Sequence, residues 1–231
     1  MVFKVILISF VGSLLCLDRV FMQTMICRPV IIAPVIGIIL GNPYVGLIIG
    51  AILELFWMER IPIGIYIPPN DSIAAVLAAS TAILAGQALG SVSKELTALS
   101  ILFAIPFGII AKRMDVKIVE SNNLLSDQAL EAAKRLDIRT IERATYLGMA
   151  KLFAFYIFVL VALQFILIYL MILIYPGLPS EIRAMLSMTY YFLPLLGIAV
   201  AINTIKLRGA IPVFCGIFLV VAVALEFFHV I

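Results

Sequence analysis

The feature that most constrains this chain is a stretch from Asp18 to Asp71 that is apolar yet repeatedly broken by Gly and Pro: LDRVFMQTMICRPVIIAPVIGIILGNPYVGLIIGAILELFWMERIPIGIYIPPND, counted from Leu17. A plain membrane anchor is an unbroken apolar helix. Here a carboxylate, Glu54, lies inside an apolar run, and the stretch ends in Pro68-Pro69-Asn70-Asp71. Broken helices with an intramembrane carboxylate arrange backbone and side chains around a cargo inside the bilayer.

Composition sets the solvent. Of 231 residues, 65% are hydrophobic and 13% charged, with a mean hydropathy of +1.22. Soluble domains are roughly half apolar and about a quarter charged. The expected fold class is therefore an all-α integral membrane protein, a polytopic helical bundle with broken or re-entrant helices in its N-terminal half. A span takes roughly 20 residues, so the chain has room for six to nine segments and no separate soluble domain.

Three regions follow within a single membrane domain: 1–111 with the broken helices, a polar segment 112–151, and helical hairpins over 152–231. Half of the 16 basic residues fall between Lys112 and Lys151, which places that segment in the cytoplasm by the positive-inside rule. It also holds Asp115, Glu120, Asp127, Glu131, Asp137 and Glu142. It therefore reads as a solvated helical face, not as a patch for nucleic acid or anionic lipid. Cys16, Cys27 and Cys215 are isolated, have no metal spacing and read as packing residues. Val5–Leu17 follows Lys4 as a signal peptide would, but no small-x-small cleavage pattern follows it, so it is expected to be retained.

Along the chain, Val20–Arg28 reads as a short semi-polar helix. Pro29–Leu40 and Val45–Met58 form a helix hairpin about the turn Gly41-Asn42-Pro43, with Gly37/Gly41 and Gly46/Gly50 spaced for close backbone approach. Ile61–Pro69, with four Gly and Pro, is an extended crossing or loop and not a helix. Ser72–Gly90 is an Ala-rich helix with small residues on every face. Leu96–Ala111 is apolar and kinked at Pro106. Asn122–Tyr146 is weakly amphipathic, one or two helices on the membrane surface with Leu125, Leu130, Leu136, Ile141 and Leu147 as apolar positions. Leu152–Tyr175 spans, and Met185–Ile205 and Gly209–Phe228 flank a basic turn, Lys206-Leu207-Arg208. No internal repeat is visible, which suggests that a partner subunit supplies the rest of a transport unit.

Several residues could carry chemistry. Glu54 must face protein or water; it accepts hydrogen bonds from a polar cargo, serves a moving hinge, or pairs with backbone amides or an arginine such as Arg28. One of Asn70, Asp71 and Ser72 caps the following helix, and the same helix N-terminus could hold substrate hydroxyls. Gln23 offers an amide suited to sugar hydroxyls or to interhelical bonding. Gln164 and Asn203 read as helix-pairing groups, and Glu226 as interfacial. His229, the single histidine, lies at the tail and is a poor phosphoryl acceptor. No P-loop, zinc motif or Ser/His/Asp set is present, and no cofactor, metal or nucleic-acid partner is expected.

These residues resemble the IIC subunit of the mannose/fructose/sorbose family of the bacterial phosphoenolpyruvate-dependent phosphotransferase system. The likeness is carried by Arg28-Pro29, the G-x-x-x-G steps, G-x-x-L-E ending at Glu54, Pro62–Gly64 and the PPxD at Pro68–Asp71. It implies a sugar permease subunit without a phosphohistidine, in the bacterial cytoplasmic membrane. It also implies a IID membrane subunit as partner, cytoplasmic IIA and IIB that relay phosphate to the sugar, IIC–IID oligomers, and a core that moves like an elevator. Sugar contacts carried over by the resemblance are Gln23, the backbone at Gly64 and Ile65, and Asn70. Glu54 and Asp71 complete the expected site. Mannose-type members have Asn where this chain has Pro62 and an acidic residue where it has Asn70, for which Asp71 compensates, so hydroxyl recognition is expected to differ. The alternatives are a facilitator or sensor without phosphorylation, and a structural membrane partner.

Overall fold

The computed structural model describes residues 1–60, 67–204 and 210–227. Among them there are nine α-helices and no strand: α1 (Val2–Leu17), α2 (Pro29–Ile39), α3 (Pro43–Trp57), α4 (Asp71–Leu89), α5 (Lys94–Glu120), α6 (Asn123–Lys134), α7 (Ile138–Ile174), α8 (Ser180–Thr204) and α9 (Ala210–Phe227). Four stretches of these are long and apolar enough to cross a membrane, starting at Asp71, Lys94, Ile138 and Ser180.

The centre of the bundle is α4. It packs on α1, α2, α3, α5 and α7, and every residue from Asp71 to Gly86 is buried. Its sequence explains this: Ala, Ser and Thr on all faces let five neighbours approach. Gly90, at φ +97°, ends it in the left-handed conformation that glycine adopts at helix C-termini.

The hairpin of α2 and α3 forms as the glycine spacing requires. A Cβ on Gly46 would lie 2.4 Å from the Ala33 carbonyl oxygen and 3.1 Å from the Gly37 Cα. Only hydrogen fits there, so the two backbones touch. Pro29 and Pro43 each occupy a first helical turn, where a missing N–H is harmless.

Three expectations need correction. Val20–Arg28 is not a helix but a run of turns, in which Gln23 (φ 55°) and Met25 (φ 67°) take left-handed backbone. The helix expected to end at Ala111 continues to Glu120 with Pro106 inside it, so Lys112 and its neighbours are its last turns. Leu152–Tyr175 is likewise only the apolar part of α7, which begins at Ile138, just after its N-cap Asp137. In both helices the change from apolar to charged composition marks a change of environment, not a break in backbone. Of the segment Ile61–Pro69, residues 61–66 lie outside the described residues; Ile67, Pro68 and Pro69 are non-helical. The Lys206-Leu207-Arg208 turn and His229 also lie outside them.

Candidate functional site

The turns after α1 are closed by Asp18. Its carboxylate accepts from the Thr24 N–H (2.9 Å), the Thr24 hydroxyl (2.6 Å) and the Cys27 N–H (3.3 Å), while the Gln23 N–H reaches the Asp18 carbonyl at 2.7 Å. A buried carboxylate that gathers donors in this way holds a short loop in one conformation. It accounts for the left-handed Gln23 and Met25, which cost free energy unless their surroundings fix them.

Beside this loop stands the N-terminus of α4. Arg19 donates to Asp71 Oδ1 at 2.7 Å and to the Pro69 carbonyl at 3.0 Å, so a single guanidinium ties the first loop to the Pro68–Asp71 turn. Ser72 adds a second tie, its hydroxyl donating to the Cys27 carbonyl at 2.6 Å. On the far side of the loop, Arg28 pairs with Glu54 of α3 at 2.6 Å. Between these ties lies a cavity of about 280 Å³, lined among the described residues by Arg19, Gln23, Met25, Cys27, Arg28, Arg60 and Asp71.

The expected site residues therefore separate. Gln23 and Asp71 both line the cavity, Gln23 exposed and Asp71 nearly buried. Glu54 reaches it only through Arg28, the arginine pairing that the sequence leaves open as one alternative. Asn70 caps α4: its Oδ1 accepts from the Ile73 N–H at 2.9 Å, and its Nδ2 donates to Asp115 at 2.8 Å. It is wholly buried behind the cavity wall. Gly64 and Ile65 lie outside the described residues.

Sequence reasoning misses Asp18, Arg19 and Asp115. By its neighbours Asp115 reads as one of the charges of the cytoplasmic segment, yet it is buried on α5 and also accepts from the Tyr156 hydroxyl at 3.2 Å. Its signal is present: Ala104, Gly108, Ala111 and Asp115 recur at three and four residues and share the buried face of α5. Gly108 sits where that face meets the turn, a Cβ there lying 3.0 Å from the Asn70 carbonyl oxygen.

Elsewhere, Gln164 pairs helices as expected, its amide meeting Ser9 of α1 at 3.3 Å, whereas Asn203, expected to do the same, is exposed; Glu226, read as interfacial, is exposed as well. A shallow groove of about 420 Å³ between α6 and α7 is lined by Asp127, Glu131, Arg135 and Asp137 among others, and its ion pairs are solvent-exposed. Among the described residues no cluster of His, Cys, Asp or Glu could hold a metal ion, and the three cysteines are free thiols.

Apolar helices of membrane-spanning length, packed beside a charged and polar cavity, define a polytopic, all-helical membrane protein. More narrowly, the chain belongs to the family described as the sorbose-specific IIC component of the PTS system, whose model matches residues 2–230. It is 37% identical over 59 residues to the "Putative N-acetylgalactosamine permease IIC component 2" of Escherichia coli (strain K12), covering 26% of this chain and 44% of that one. It is 26% identical over 87 residues to the fructose permease IIC component of Bacillus subtilis (strain 168), covering 38% of this chain and 32% of that one. The matched stretches thus span less than half of each relative. Two solved structures share the fold at 18% identity. One, titled "Structure of membrane protein", has a TM-score of 0.73 over 100% of this chain and 93% of its own. The other, a cryo-EM structure of the mannose transporter ManYZ with microcin E492, has a TM-score of 0.63 over 96% and 87%.

Proposed function

We propose that this chain is the IIC permease subunit of a sugar phosphotransferase system, carrying a hexose-type sugar across the bacterial cytoplasmic membrane. The observation that carries the reading is the cavity between the Asp18-closed loop and the N-terminus of α4. Guanidinium, amide and carboxylate groups converge there on a space of sugar size, about 280 Å³. Gln23 and Asp71 supply a donor–acceptor amide and an acceptor for hydroxyls, and Arg19 and Arg28 supply forked donors. Carboxylates pair with all three lining arginines, Asp71 with Arg19, Glu54 with Arg28 and Glu59 with Arg60, which favours a neutral polyhydroxylated cargo over an ion. Glu54 orients Arg28, and Asn70 shapes the wall from behind. Gly64 and Ile65, which the family resemblance names as sugar contacts, complete the set in this reading.

Family membership and the fold shared with ManYZ support a partner of the IID type in the membrane. Cytoplasmic IIB phosphorylates the emerging sugar, and IIA supplies it with phosphate. The segment 112–151 faces the cytoplasm, where its basic residues belong, and IIC–IID units assemble into oligomers. This chain contributes passage and recognition and no phosphoryl chemistry.

The test uses membrane vesicles containing the chain with its IID partner, the soluble relay proteins, phosphoenolpyruvate and a panel of labelled hexoses. Sugar phosphate that accumulates only with phosphoenolpyruvate is the expected result and names the substrate. Free sugar equilibrating without phosphate would replace the reading with a facilitator. No movement of any hexose would overturn it.

A further inference from the structure

The cap of α4 is more elaborate than a helix needs. Capping asks only for an acceptor, and Asn, Asp or Ser supply one about equally well. Asn70 makes that bond with Oδ1 and has two further ones: its backbone N–H donates to the Gly108 carbonyl at 2.9 Å, and its Nδ2 donates to Asp115 Oδ2 at 2.8 Å. The other oxygen of Asp115 accepts from Tyr156 of α7. All three side chains are buried, Asn70 at 0%, Asp115 at 6% and Tyr156 at 1% exposure. The next residue, Asp71, faces the cavity and holds Arg19.

We infer that Asn70, Asp115 and Tyr156 form a positioning device that locks the N-terminus of α4 onto α5 and α7 and so fixes the cavity wall formed by Asp71, Arg19 and the Cys27 loop. The device deepens the sugar-site reading and rests on it for its role in transport. None of the three touches cargo; they act through Asp71 and, by way of the Ser72 hydroxyl, through the Cys27 carbonyl. The amide at position 70 is specified by the carboxylate at position 115. A carboxylate in place of the Asn70 amide would cap α4 equally well but would set two carboxylates against each other in a site shielded from water.

That asymmetry gives the experiment. Asn70→Asp, Asp115→Asn and the double exchange are made in full-length Cys215→Ser protein, which removes the exposed thiol. Two quantities are read: the rate at which a hydrophilic maleimide labels Cys27 in purified protein, and the KM of sugar uptake in the vesicles described above. In the double exchange every bond has a counterpart: the amide now on α5 donates to the carboxylate now at the cap, which still accepts from the first turn of α4. Asn70→Asp is expected to raise labelling and KM about tenfold, since two like charges at hydrogen-bond distance shift such equilibria by a unit or more. Asp115→Asn, amide against amide, is expected to change each by about twofold, and the double exchange to return both to near wild type. If Asn70→Asp does not accumulate, accumulation restored in the double exchange is the same rescue.

An unchanged labelling rate in Asn70→Asp, or a double exchange no better than that single variant, would overturn the device. The labelling pattern needs no sugar. If it holds while wild-type vesicles move no hexose, the device stands and the transport reading alone fails.

Discussion

Arg19 and Asp71, 52 residues apart in sequence, meet at 2.7 Å, and the same guanidinium reaches the Pro69 carbonyl at 3.0 Å. The pair joins the end of α1 to the start of α4, and both residues line the cavity. Side-chain exposures of 14% and 11% leave it partly shielded, so it is stronger than a surface ion pair and avoids the full desolvation of a buried one. Asp71 has a second duty, its Oδ1 also accepting the Ser72 N–H at 2.9 Å. Two donors therefore converge on the same Oδ1, which fixes the orientation of the carboxylate at the cavity wall.

Arg19→Lys keeps the charge and loses the fork, because an ammonium cannot reproduce the planar geometry that serves both Asp71 and Pro69. The expected outcome is normal membrane insertion with sugar uptake reduced about tenfold, which corresponds to roughly 1.4 kcal/mol and about one charge-assisted hydrogen bond. Initial uptake rates at matched membrane levels check it. Wild-type uptake would show that the fork has no part in shaping the site.

The α2–α3 hairpin depends on backbone contact, so Gly46→Ala must push the Ala33 carbonyl away from the 2.4 Å that a new Cβ would impose. Neither backbone can yield without moving its helix. A loss of about 1–3 kcal/mol of stability is expected, as for other overpacked sites. It would appear as a lowered Tm of the purified protein in detergent. Gly41→Ala is a poor control, since its φ of +79° adds strain of a different kind. Ala51, exposed on α3, is a better one, and Ala51→Ser is expected to change Tm little.

At the start of α7, Asp137 caps the helix by accepting from the Thr140 hydroxyl and N–H, and these bonds hold its carboxyl below the ordinary aspartate value of 3.8. Because the folded value is the lower one, the cap's contribution is complete above the unfolded pKa and is lost as pH falls through the folded one. The first-turn amides of α7, Thr140 above all, are expected to lose hydrogen-exchange protection, relative to mid-helix amides, only in that acid range. Asp137→Asn should remove the pH dependence while keeping most of the cap. Protection that already falls near neutral pH would contradict the assignment.

Much of this is legible in the chain, for identifiable reasons. Gly37, Gly46 and the prolines announce the α2–α3 hairpin because their signals are local. Alanine on every face of Ser72–Gly90 marks a helix surrounded by others. The cavity loop reads wrongly as a helix because its conformation is set by Asp18 reaching six and nine residues ahead, a tether that no periodicity reports. Arg19–Asp71 and Asn70–Asp115 are invisible in sequence because they join distant segments. Asp115 is further disguised by the charges around it, although its spacing from Ala104, Gly108 and Ala111 places it on the buried face. Glu54 stands out as a lone carboxylate in an apolar run. Its partner, Arg28, is among the readings the sequence allows, and only the fold selects it.

Glu54 offers the sharpest separation of a site role from a packing role. Its Oε1 lies 2.6 Å from Arg28, which lines the cavity, while its Oε2 meets the Val30 N–H at a long 3.4 Å. Glu54→Gln keeps the shape and one acceptor but removes the charge that orients and neutralises Arg28. The freed guanidinium can then turn into the cavity and compete with the cargo for Gln23 and Asp71. Membrane level and Tm are expected to stay near wild type, because the helix hairpin is held by backbone contact and the pair is only half-buried. Uptake is expected to fall about tenfold, mostly through KM, the scale of one misplaced charge-assisted bond. Adding Arg28→Gln to Glu54→Gln removes the competing cation and should recover part of that KM. If the double variant is worse than Glu54→Gln by the full effect of Arg28→Gln alone, the two residues act independently and Glu54 has its own contact with the cargo. If Glu54→Gln instead lowers Tm and leaves KM unchanged, the carboxylate serves the hairpin and has no role in recognition.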